Sequence, residues 1–133
     1  MGVAAVTKDK ALYAFFSGFG IPAYPDTAVL NEDGEPDVVL PYLTYTPIFD
    51  AWGGEPVSLT VNLWYLTERE DVPNAKAQEL SDAIGYGGVR LPCDEGIIWL
   101  KRGSPWCQNL ADETDSAIKR RYINVTAEYL MLN

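Results

Sequence analysis

"VSLTVNLWYL", residues 57–66, is the stretch on which the fold turns. Val57, Leu59, Val61, Leu63 and Tyr65 stand at every second position, with Ser58, Thr60 and Asn62 between them. Successive side chains of an extended strand point to opposite faces, so this period of two predicts a strand with one buried face. No Gly or Pro interrupts its hydrogen-bonding ladder. Trp64 and Leu66 break the polar row at its end, and the second face is expected to be covered there. The segment is therefore placed at the centre of a sheet.

Upstream, "YLTYTPIF" (42–49) has strand character. Pro41 and Pro47 cannot donate ladder bonds, which puts it at an edge or ends it early. Residues 21–41 are rich in Pro and acid around the turn signal Asp33-Gly34, so an irregular, partly mobile excursion is expected. Before it, Leu12, Phe15, Phe16 and Phe19 form one apolar stripe that predicts a helix over 8–19. Thr7 is its N-cap, and Gly18 and Gly20 end it.

Downstream, Ala77, Leu80 and Ile84 predict a helix over 73–84, opened by Pro73 and stopped by "GYGG" (85–88). A short strand near 89–92, a Cys-Asp-Glu-Gly turn and the strand "IIWLK" (97–101) come next. Lys101–Asp115, "KRGSPWCQNLADETD", is read as a loop, and 118–131 as a long strand. In that strand Arg121, Ile123, Val125, Ala127 and Tyr129 alternate with Arg120, Tyr122, Asn124, Thr126 and Glu128. The order α-β-β-α-β-β predicts an α+β fold, an antiparallel sheet of about four strands with two helices packed on one face. Residues 1–133 form a single domain, since neither repeat nor linker divides them.

With 47% hydrophobic and 22% charged residues the chain has a globular composition, and nothing in it is long and apolar enough for a membrane span. The first ten residues lack a signal-peptide pattern. A net charge of −9 argues against a general nucleic-acid binder. The signs are segregated: Lys101, Arg102, Lys119, Arg120 and Arg121 hold half of the ten basic residues, while Glu32, Asp33, Glu35 and Asp37 make an acidic segment. That segment is expected to be exposed and to order on contact with a partner. Segregated charge permits head-to-tail association of identical copies, and two solvated surfaces are the alternative.

No enzyme signature is present. Cys107 or Ser104 as nucleophile needs a base, and the chain has no histidine. Cys93 and Cys107 are read as reduced thiols, and without histidine they cannot complete a zinc site. Asn31, Asp33, Glu35 and Asp37 alternate as calcium ligands do, but Tyr42 stands where the twelfth-position acid belongs. "GYGG" follows a helix and not a strand, so it is not a phosphate loop. Neither cofactor nor metal is expected.

Four blocks, "PYLTYTPIFDAWGG", "VNLWYLTE", "IIWLKRGSPWCQNL" and "IKRRYINVTAEYL", resemble small structural proteins of long-tailed bacteriophages and prophages, most of all tail terminator (tail completion) proteins. The likeness covers nearly the whole chain. It implies a non-enzymatic α+β protomer that forms a ring with copies of itself, a hexamer, which caps the tail tube and stops its growth. The implied partners are the tail-tube protein and the head/neck connector, with no sequence-specific nucleic acid and no membrane. The implied location is the host cytoplasm during assembly and then the tail–head junction of the virion. Beside this stand two alternatives: another head–tail junction or minor capsid component, and a soluble small-molecule-binding domain with a pocket of Trp52, Trp64 and Trp99. Our own inference from the residues is that Lys101, Arg102, Trp106, Arg120 and Arg121 form the oligomer or partner interface. The alternative is that Trp106 plugs its own core and the cations are solvated.

Overall fold

The computed structural model describes residues 6–25, 41–46, 52–67, 69–111 and 118–131. Helix α1 (Lys8–Phe16) runs into a 3-10 turn (Ser17–Phe19), followed by β1 (Ala23–Pro25), β2 (Tyr42–Tyr45) and β3 (Val57–Leu66). Helix α2 (Asp71–Ile84) leads to β4 (Val89–Pro92), β5 (Gly96–Ala111) and β6 (Ile118–Met131). All six strands join one sheet in the order β1-β2-β3-β6-β5-β4. β1 and β2 are parallel, and every other pairing is antiparallel.

The expectation of about four antiparallel strands with two helices on one face is thereby corrected. The sheet has six strands, is mixed, and curls into a half-barrel. Its curvature follows from what α1 touches. α1 contacts both β1 and β4, the two outermost strands. In a flat sheet those edges would lie about 24 Å apart, at ~4.8 Å per strand, which is beyond the span of one helix ~10 Å across. The edges therefore turn in towards α1.

Alternation sets what fills the curl. Leu59, Val61, Leu63 and Tyr65 of β3 and Ile123, Val125, Ala127 and Tyr129 of β6 are buried. They share one core cluster with Leu12, Phe16 and Phe19 from the first helix and its turn, and with Ala77, Leu80 and Ile84 of α2. Phe16 stacks on Tyr45 with ring centroids 4.8 Å apart and meets Phe15 edge-on. β3 and β6 keep the bounds predicted for them. The loop expected over 101–115 does not form as such: through Ala111 it continues β5, paired to β6 on both sides of a register irregularity between Arg102 and Cys107. Gly103 sits in that irregularity because a Cβ there would press to 2.7 Å from Asn124 Cβ.

Candidate functional site

β5 and β6 carry all five residues singled out as an interface, and strand alternation divides them between two faces. On the core side, Arg121 is 1% exposed. Its Nε donates to Asn74 Oδ1 at 2.8 Å and its Nη2 to Glu70 Oε2 at 2.5 Å. Glu70 also receives Lys119 at 3.5 Å. The hydrogen bond from Arg121 is the main reason that the Glu70 carboxyl is held below its usual pKa. Arg121 thus ties β6 to the start of α2, and it offers no surface to a neighbour.

Arg102 is exposed, and its Nη1 donates to Ser81 Oγ of α2 at 2.9 Å. Trp106 is half-buried against the core and shares a cavity of about 270 Å³ with Asn74, Ala77, Gln78, Cys107 and Asn109. Its indole Nε1 is buried without a hydrogen-bond partner. Cys107 and Cys93 are both free thiols, and burial pushes the pKa of each up. A thiol shifted in that direction is a poorer nucleophile at neutral pH.

On the opposite face of the sheet, polar and aromatic side chains lie in rows across the strands, Tyr42, Thr44 and Asn62 buried and Trp64, Trp99 and Arg120 half-buried. Arg120 lies 4.9 Å over the Trp64 ring, and its Nε donates to Asn62 Oδ1 at 2.8 Å. Trp64 stacks on Tyr42, which meets Tyr24 edge-on, and donates its Nε1 to Thr44 Oγ1 at 3.2 Å. Further along, Lys101 Nζ sits 3.9 Å over Trp99 and 3.2 Å from Glu128 Oε2, with Arg90 at 5.2 Å from the same ring. Each cation sits over an indole, so this face carries the residue types that dominate protein contacts.

The three tryptophans proposed as a common pocket do not converge. Trp64 pairs with Arg120 across the sheet and Trp99 with Glu128, which places the two ~27 Å apart along β6. Trp52 is elsewhere, edge-on to Tyr129. The acidic segment Glu32, Asp33, Glu35 and Asp37 lies outside the described residues, as do Asp112, Glu113 and Asp115. Among the described residues no three His, Cys, Asp or Glu side chains gather as a metal site, and no helix is long and apolar enough to cross a membrane. No family model, curated protein or solved structure matches the chain.

A site invisible to sequence reading lies where the first described residues meet the β4–β5 turn. The Val6 amide donates to Asp94 Oδ2 at 2.9 Å, and the Asp94 amide donates back to Val6 O at 3.1 Å. Trp52 Nε1 donates to Glu95 Oε2 at 3.1 Å. Lys8 Nζ lies 4.5 Å over the Trp52 ring and 5.1 Å from that of Tyr129. These groups wall a cavity of about 420 Å³. Its three segments, at Val6–Lys8, Trp52 and Asp94–Glu95, lie about 40 to 90 positions apart, and no local pattern announces them.

Proposed function

We propose that the chain is a structural protein of a long-tailed phage particle: a tail terminator that assembles as a ring, caps the tail tube and meets the head/neck connector. The observation that carries this reading is the outer sheet face, where Arg120 on Trp64 and Lys101 and Arg90 on Trp99 make two cation–aromatic patches. Such a surface suits contact with another protein. The four sequence blocks that resemble tail terminators support the same reading, and so do thiols whose pKa burial raises.

Of the original interface set, Lys101 and Arg120 on the outer face and Arg102 on the α2 side remain available for contacts, with Trp106 partly so. The deciding experiment mixes the purified chain with polymerising tail-tube protein and measures tube lengths by electron microscopy, with native mass spectrometry of the chain alone. A closed ring and arrested tubes are expected. A chain that stays monomeric, beside tubes that grow as in its absence, overturns the proposal.

A further inference from the structure

We infer that the cavity between Val6–Lys8 and the Asp94–Glu95 turn receives the guanidinium of Arg102 from a second copy of this chain. The inference rests on the ring reading above and names the pair of surfaces that closes it.

The cavity first. At about 420 Å³ it has the size of a ligand site and not of a packing defect. Asp94 uses one carboxylate oxygen on the Val6 amide and Glu95 one on the Trp52 indole. The second oxygen of each has no partner among the described residues. Among the described residues that line it, two carboxylates and the Lys8 ammonium leave one negative charge in excess. A single added cation balances it, and acceptor oxygens on two adjacent residues suit the several donors of a guanidinium better than a point-like ammonium.

The donor follows from the charges left over. Three cations, Arg90, Arg102 and Arg120, have no carboxylate partner among the described residues. Arg90 lies over Trp99, and Arg120 over Trp64 with Asn62. Arg102 alone is exposed with nothing but a serine hydroxyl. It stands seven residues along the strand from Glu95, ~23 Å away and beyond the ~7 Å reach of its own side chain. The arginine that fills a cavity must therefore come from another molecule.

In the ring read above the contact is heterologous: each docking leaves one unused cavity and one unused Arg102 for the next copy, whereas a two-fold dimer uses both pairs reciprocally and stops at two copies.

The test is a charge swap in the full chain, read by sedimentation and native mass spectrometry, with circular dichroism to confirm folding. Arg102→Glu and Glu95→Arg are each expected to weaken self-association at least about tenfold, and the double variant to recover it to within about threefold of wild type. If Glu95→Arg loses its fold, Glu95→Gln replaces it and is held to the same tenfold loss. A wild type that assembles beside single variants that assemble equally well sinks this contact but leaves the ring reading standing. So do folded single variants that weaken but are not rescued by the swap. A wild type that stays monomeric sinks both.

Discussion

Replacing Arg121 with Met separates a framework role from an interface role. The substitution keeps most of the apolar stem inside the core and removes the guanidinium that joins β6 to α2. Only the bond from Nε to Asn74 Oδ1, at 2.8 Å, is counted, because Glu70 is 57% exposed and its ion pair is screened by water. A hydrogen bond that involves a charged group contributes ~1.5–3 kcal/mol. Asn74 and Glu70 both reach solvent, so neither is stranded by the change, and the cost stays within that range. For 133 residues the unfolding entropy is about 0.28 kcal/mol/K, so Tm should fall by about 5–11 °C.

Scanning calorimetry of wild type and Arg121→Met reads this directly, and pH adds an independent check. The folded-state pKa of Glu70 is depressed, chiefly by its hydrogen bond from Arg121. Its contribution is therefore present above the ordinary glutamate pKa and is lost as pH falls through the depressed one. Below the ordinary value the wild-type Tm should drop towards that of the variant, so the gap narrows with acid. A variant whose Tm stays within about 2 °C of wild type, but which no longer assembles, would refute the framework assignment and return Arg121 to the interface.

Phe16→Ala should cost ~3–5 kcal/mol in urea unfolding, because Phe16 is fully buried and fills the curl against Tyr45. Gly88→Ala should cost about 2 kcal/mol and shift tryptophan emission, since Gly88 has a φ of 83° and a Cβ there would collide with the Trp99 indole. Both thiols should react with a thiol reagent at pH 8 more slowly than a free cysteine and speed up in denaturant, as their raised pKa values leave less thiolate; reaction at the free-cysteine rate in the folded protein would count against their burial.

Elements whose stability comes from a buried stripe were legible in the sequence. β3 and β6 each present a period-two core row, and their bounds emerged as read. β1 was not legible, because three residues ending in Pro25 carry no period, and their parallel partner β2 is reached only across residues 26–41. The second half of β5 was missed for a different reason. Gly103 and Pro105 look like turn residues, but Gly103 answers a steric need at Asn124, and the irregularity between Arg102 and Cys107 breaks the alternation. In the candidate site, Arg120 and Arg121 were grouped although their own alternation sends them to opposite faces, one over Trp64 and the other into the core.

Charge placement explains how so acidic a chain could associate with itself. All ten basic residues lie among the described residues, together with nine of the nineteen acids, so the sheet and helices carry one positive charge in excess. The remaining ten acids belong to the sequence stretches 26–37 and 112–115 and to positions 50 and 68. The −9 of the chain therefore comes from acids outside the described residues. Two copies that meet through β5, α2 and the 94–95 turn meet through nearly neutral surfaces, on which Arg102 and the Asp94–Glu95 turn are local and opposite. At physiological ionic strength charges more than ~8 Å apart are largely screened, so a local pair of opposite charges counts for more in such a contact than the net charge of the chain.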